Sequence, residues 1–185
     1  ASLLVLSQLS AFATLTAEDY IEYGYEDEWY YDYESAIENF TKAIELDPSI
    51  AEAYVERGYC YNELEDYYLA IADETTAIGL DSNYSGAYYE RGYAYVQNGD
   101  YSLGISDFTS AIAINPKYAS AYAERGYAYY NQGYYYSTIA DCDKAIELDP
   151  KLSWAYQYRG YAHGRLDNYY QEIADETKAI ELDST

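Results

Sequence analysis

The side chains able to do chemistry are few in kind and regular in spacing. Arg57, Arg91, Arg125 and Arg159 fall 34 residues apart, and Asp73, Asp107, Asp141 and Asp175 keep the same interval sixteen residues further on. In the corresponding positions near the start, Tyr23 and Asn39 replace both partners together. Joint loss is what groups that bind each other would show, so the spacing points to an ion pair built once per interval, partly buried and hydrogen-bonded. The competing reading is a solvated charge on each helix, where an exposed pair contributes at most about 1 kcal/mol.

Catalytic chemistry has little to build on. The one histidine, His163, stands where Tyr61, Tyr95 and Tyr129 stand in other intervals, which makes it a packing variant before it is a base. Cys60 and Cys142 show neither a CxxC pair nor metal-ligand spacing, and read as unrelated core thiols. The run Glu26-Asp27-Glu28 lacks the spacing of a calcium loop and reads as a solvated face. No Ser-His-Asp set, glycine-rich phosphate loop or metal-ligand motif is present. The expectation is a protein that is not an enzyme, with no cofactor and no metal. Asn39 and Asn83 begin glycosylation triplets of a kind that chance often produces.

The elements that must position these residues follow from the same interval. "AYVERGYCY" from Ala53 returns as "AYYERGYAY", "AYAERGYAY" and "AYQYRGYAH", and the chain aligns without gaps as five units: 17–50, 51–84, 85–118, 119–152 and 153–185. Within a unit, small and apolar residues step by three and four, as in Ala70, Ile71, Ala77, Ile78 and Leu80, so each unit holds two helices with one buried face. Gly99 and Gly133 mark the turn between them. Asp32, Asp66, Asp100 and Asn168 are placed to cap the second helix. Pro48, Pro116 and Pro150 end that helix, and Ser49 with Glu52 reads as a capping box for the next.

Tyr54, Gly58, Tyr61, Ala70 and Ala77, in a unit of this length, resemble the tetratricopeptide repeat. The resemblance covers residues 17–185. It departs from the family at Arg57, where leucine is usual, at Glu74 and Glu176, which replace an aromatic residue, and at Glu172, which replaces a small one. It implies an all-α, right-handed α-solenoid, with Gly24, Gly58, Gly92, Gly126 and Gly160 allowing the paired helix to approach. It also implies a concave groove lined by the first helices, where Tyr25, Tyr59, Tyr93, Tyr127 and Tyr161 would form an aromatic ladder. Two roles stay open for that ladder, structural lining and contact with a peptide or polymer. With Tyr59, Tyr93 and Asn62 in the groove and Glu52 and Glu63 nearby, an acidic peptide would be repelled, so a basic or aromatic peptide is the class that fits.

Composition narrows the partners further. A formal net charge of −23, with only ten Lys and Arg, excludes clustered phosphate contacts and hence nucleic acid, and disfavours anionic membrane surfaces. Thirty of 185 residues are tyrosine, and eighteen of these occupy four recurring positions. The sets Tyr20, Tyr54, Tyr88, Tyr122, Tyr156 and Tyr33, Tyr67, Tyr101, Tyr135, Tyr169 read as packing.

The ends of the array carry the leading functional expectation. Residues 1–16 are uncharged and too short for a membrane span, and are read as an extra apolar N-terminal helix or assembly segment. Leu3, Leu6 and Phe12 align with Ile37, Phe40 and Leu46, while Leu4, Val5 and Leu9 fall elsewhere around the helix. At the other end, Ile173, Ile180 and Leu182 belong to a repeat without a capping helix. Two unlike apolar ends on one rod predict head-to-tail contact between copies, propagating into a filament or extended solenoid. The alternative is a monomeric adaptor that uses the groove. Ala11-Phe12-Ala13 resembles a secretory cleavage site, so an extracellular or cell-surface location is expected, with the cytoplasm as the alternative.

Overall fold

Short apolar periods, each broken by a left-handed turn or a loop, give helices of thirteen to fifteen residues. The computed structural model describes residues 14–183. These form five consecutive helix pairs: α1 (Ala17–Trp29) with α2 (Tyr33–Leu46), α3 (Ala51–Glu63) with α4 (Tyr67–Leu80), α5 (Ser85–Gln97) with α6 (Tyr101–Ile114), α7 (Ala119–Asn131) with α8 (Tyr135–Leu148), and α9 (Ser153–Arg165) with α10 (Tyr169–Asp183). Thr14–Thr16 are irregular, and the remainder of the N-terminal segment lies outside the described residues.

The turn inside every pair reverses the chain through one left-handed residue. Gly99 and Gly133 serve in two pairs at φ 88° and 80°, whereas Tyr31, Glu65 and Asp167 take the same place at φ 60°, 63° and 59°. Glycine adopts this conformation without steric cost, so the other three turns are the strained ones.

Several helix starts differ from the sequence expectation. Asp32 does cap α2, accepting from the Ser35 N–H at 3.2 Å, but the Asp66 and Asp100 side chains make no cap bond to α4 and α6. Ser35 supplies the difference: its hydroxyl also donates to Asp32 Oδ2 at 2.9 Å, where the other two helices present Leu69 and Leu103. Asn168 contributes through its backbone carbonyl, which accepts from the Gln171 and Glu172 N–H groups. Ser49 and Glu52 form no capping box. The N-cap of α3 is Ile50, and both the Ser49 N–H and hydroxyl are taken by Asp47 Oδ1, at 2.9 and 2.6 Å. A capping box does open α1, where Thr16 N–H donates to Asp19 and Asp19 N–H donates to the Thr16 hydroxyl.

Helices within a pair pack through glycine on one side and an aromatic ring or its replacement on the other. A Cβ on Gly24 would sit 2.5 Å from the Phe40 ring, and one on Gly92 would sit 2.9 Å from Phe108, so both slots demand glycine. Ala43, Ala77, Ala111 and Ala145 are fully buried beside them. In the second pair Glu74 replaces the ring. It is fully buried, neither carboxylate oxygen has a partner, and burial pushes its carboxyl well above the usual range.

Stacking gives the array its inner and outer walls. First helices of neighbouring pairs approach each other, as α3 does α5 and α7 does α9, while second helices do not approach as closely. The first helices therefore form the inner, concave wall.

Candidate functional site

Five tyrosines repeat along the inner wall, but they are not rungs stacked on one another. Tyr25 packs edge-on against Phe40 at 5.9 Å and donates its hydroxyl to Glu52 Oε1 at 2.7 Å. Tyr59 meets the edge of Tyr33 at 6.2 Å, Tyr127 stacks on Tyr158 at 4.8 Å, and Tyr161 tilts against Tyr130 at 6.0 Å. Tyr93 packs onto the buried Val96, Phe108 and Ala128 cluster. The periodicity placed these residues on one face, while the stacking between pairs chose other partners for their rings. Burial, with Glu124 close by, pushes the Tyr93 hydroxyl up to about 12.

Between these rings runs a row of carboxyls that the sequence reading passed over. Glu56, Glu90 and Glu124 each sit immediately before the repeating arginine, and their 34-residue recurrence inside "ERGY" was the available signal. The pattern ends at Tyr158 in the last pair. Glu124 is 7% exposed and has no hydrogen-bond or ion-pair partner, so burial alone raises its carboxyl to about 7. Burial likewise lifts Glu56 to about 7, helped by the negative charge of Glu28. Glu90 also reaches about 7 through burial, although the Asn62 amide donates to its Oε2 at 3.0 Å and works against the rise. Glu28 is raised by burial and accepts the Cys60 thiol at 3.2 Å. Asn62 is not a groove-facing group. At 3% exposure it lies inside, holding Glu90 by both side chain and backbone.

Every repeating arginine is committed behind this wall. Arg57 Nε and Nη2 grip both oxygens of Asp73 at 2.7 and 2.8 Å, and Arg91 with Asp107, Arg125 with Asp141 and Arg159 with Asp175 repeat the two-point geometry. Their Nη1 groups reach back to the preceding pair, to Thr41, Thr75, Thr109 and Asp143. A tyrosine face completes each site, with Tyr54, Tyr88, Tyr122 and Tyr156 5.5 to 5.8 Å from the guanidinium. The bond within a pair was legible from spacing; the staple between pairs was not. In the first pair Asn39 donates to Asp27 Oδ2 at 2.8 Å instead. Arg165, the last residue of α9, donates from Nε to the Tyr130 hydroxyl at 3.1 Å.

The remaining candidates are spread apart. Leu3, Leu4, Val5, Leu6, Leu9 and Phe12 lie outside the described residues. Ile173 is 61% and Ile180 68% exposed on α10, and Leu182 is half-buried. Cys60 and Cys142 are buried free thiols, both pushed up chiefly by burial. The His163 Nδ1 is buried without a partner. Among the described residues no helix is long and apolar enough to cross a membrane, and no three His, Cys, Asp or Glu side chains are close enough to hold a metal ion.

Comparison with known proteins settles the family. Tetratricopeptide-repeat family models match residues 39–72 and 119–152, and a third TPR repeat model matches residues 92–133. The chain is a tetratricopeptide-repeat (TPR) protein. Its ten described helices stack in repeated pairs, and the fold is a TPR solenoid. It is similar to the crystal structure of MamA, with 27% identity and a TM-score of 0.75 over 87% of this chain and 94% of that one. MamA 41-end from Desulfovibrio magneticus RS-1 gives 23% identity and a TM-score of 0.78, covering 91% of this chain and 95% of its own. YrrB, a TPR protein with an unusual peptide-binding site, gives 23% and 0.69, covering 90% and 86%. At those two lower identities the likeness is one of fold. No curated protein sequence matches the chain significantly. The chain is a TPR scaffold.

Proposed function

We propose that this scaffold receives a basic or aromatic segment of a partner protein in its concave groove. The observation that carries the reading is the row of Glu56, Glu90 and Glu124 among Tyr59, Tyr93 and Tyr127, on a wall whose repeating arginines are turned away and bound to aspartates. Those carboxyls are held partly protonated by burial, and a cation brought beside them restores the charge that burial suppresses. Tyrosine rings supply the apolar and cation-attracting surface between them. Exposed Glu52 and Glu63, joined to the Tyr25 and Tyr33 hydroxyls, extend the negative field along the groove.

A lysine- and arginine-rich peptide should bind, an acidic peptide of equal length should not, and affinity should fall steeply with salt. Reversing the exposed charges, with Glu52→Lys and Glu63→Lys together, should weaken the basic peptide about tenfold or more, equivalent to about 1.4 kcal/mol. Equal affinity for both peptides in fluorescence anisotropy refutes the reading.

End-to-end association of copies is a second reading, favoured by α10. Ile37, Ile71, Ile105 and Ile139 are half-buried in one slot, as are Ile44, Ile78, Ile112 and Ile146 in another, whereas Ile173 and Ile180 in those slots are well exposed. The groove reading leads because the apolar residues expected to meet α10 lie outside the described residues. Sedimentation of the chain with Ile173→Glu separates the two: assembly through α10 is lost, and groove binding is kept.

A further inference from the structure

One cavity in the groove has a composition of its own. It measures about 260 Å³ and is walled by Glu28 of α1, Glu56 and Tyr59 of α3, Glu90 of α5, and Tyr84 and Tyr118 at the starts of α5 and α7. Three carboxyls from three different helix pairs thus face one space among three phenol rings. The volume is below the roughly 300–1,000 Å³ of small-molecule sites, which suits a single side chain rather than a folded ligand.

Two substitutions within the repeat create this space. Val55 stands where the next unit has Tyr89, whose ring stacks on Tyr118 at 4.9 Å, and the smaller side chain leaves the corresponding face of Tyr84 to the cavity. At Gly86 a Cβ would come 3.1 Å from the Tyr84 ring, so glycine keeps that ring in place. Behind the wall lies a second anomaly, the fully buried Glu74 with two unpartnered oxygens. Its carboxyl packs against Gly58 of α3, the helix that carries Val55, Glu56 and Tyr59 of the cavity wall. Glu56 and Glu90 both act on it electrostatically. Three carboxyls facing one cavity, with a further unpartnered carboxyl buried behind the helix that supplies one of them, point to a cation as the occupant.

The chain itself shows which cation suits such surroundings. Each of its four internal sites for a guanidinium combines a carboxylate with a tyrosine face, and the cavity offers the same two ingredients in greater number. The carboxyls are also too dispersed to converge on one metal ion, but a planar group with five donors can reach several at once. We propose that this cavity binds the guanidinium of an arginine side chain in the partner segment, and so fixes where along the groove that segment sits. The proposal rests on the groove reading and narrows it to one position.

The test uses the whole chain and a capped tri-arginine peptide in isothermal titration calorimetry, with a tri-lysine peptide of equal charge beside it. Tri-arginine should bind about tenfold or more tightly than tri-lysine, since only the guanidinium donates in a fixed fork. Val55→Tyr, which copies the next unit and leaves every charge in place, should remove that preference, and Glu56→Gln with Glu90→Gln should do the same. Glu38→Gln, exposed on the outer helix α2, should retain it. Circular dichroism confirms that each variant is folded. If both peptides bind equally, or if Val55→Tyr and the double glutamine variant keep the arginine preference, the cavity assignment is overturned while the groove reading stands. If neither peptide binds the unaltered chain, the groove reading falls as well.

Discussion

Replacing Glu124 with glutamine should make this protein more stable, and by an amount that grows with pH. Glu124 is 7% exposed, has no partner, and is surrounded by Tyr89, Glu90 and Tyr93 of α5 and Tyr158 of α9. Burial raises its carboxyl from an ordinary 4.5 to about 7. Between those values the folded chain holds a proton that the unfolded chain has released, so stability falls as pH rises through the window. Above it the full cost is present, about 3 kcal/mol at 1.36 kcal/mol per pH unit. Glutamine keeps the shape of the protonated acid and never ionises. Urea unfolding followed by circular dichroism should therefore show Glu124→Gln ahead by about 1 kcal/mol at pH 5 and about 3 kcal/mol at pH 8.5. A gain that does not change with pH, or a loss of stability at pH 8.5, refutes the claim that an unpaired carboxyl is buried there.

Three further outcomes test the frame around the groove. Asp107→Ala should cost about 3–5 kcal/mol by stranding a guanidinium that is only 17% exposed, and the double change with Arg91→Ala should cost less than the sum of the single ones; additive losses in a thermal or urea double-mutant cycle would show that the pair contributes nothing. Gly92→Ala should destabilise by about 1–3 kcal/mol, because the new methyl group meets the Phe108 ring, and Gly92→Ala with Phe108→Leu should recover part of the loss. Glu65→Gly should raise stability or leave it unchanged despite added backbone freedom in the unfolded chain, since φ of 63° strains a residue with a Cβ, whereas Gly99→Ala at φ 88° should lower the melting temperature.

The sequence by itself determined what repeats. Proline after Leu-Asp, glycine at Gly24, Gly58 and Gly92, and arginine sixteen residues before aspartate are local or singly periodic signals, and each reports a contact inside one helix pair. That is why the pairing of helices and the Arg–Asp bond were legible. The tertiary structure decided what happens between pairs, because stacking brings together residues that no single unit contains. It turned the arginines' third donor towards Thr41, Thr75 and Thr109, gave the tyrosines partners other than each other, and drew Asn62 inwards to hold Glu90. It also decided the state of the glutamates. "ERGY" sets an acid next to a base in the sequence, but the neighbouring helix pair removes water from Glu56, Glu90 and Glu124, and the price of burying a charge depends on surroundings that one-dimensional spacing does not encode.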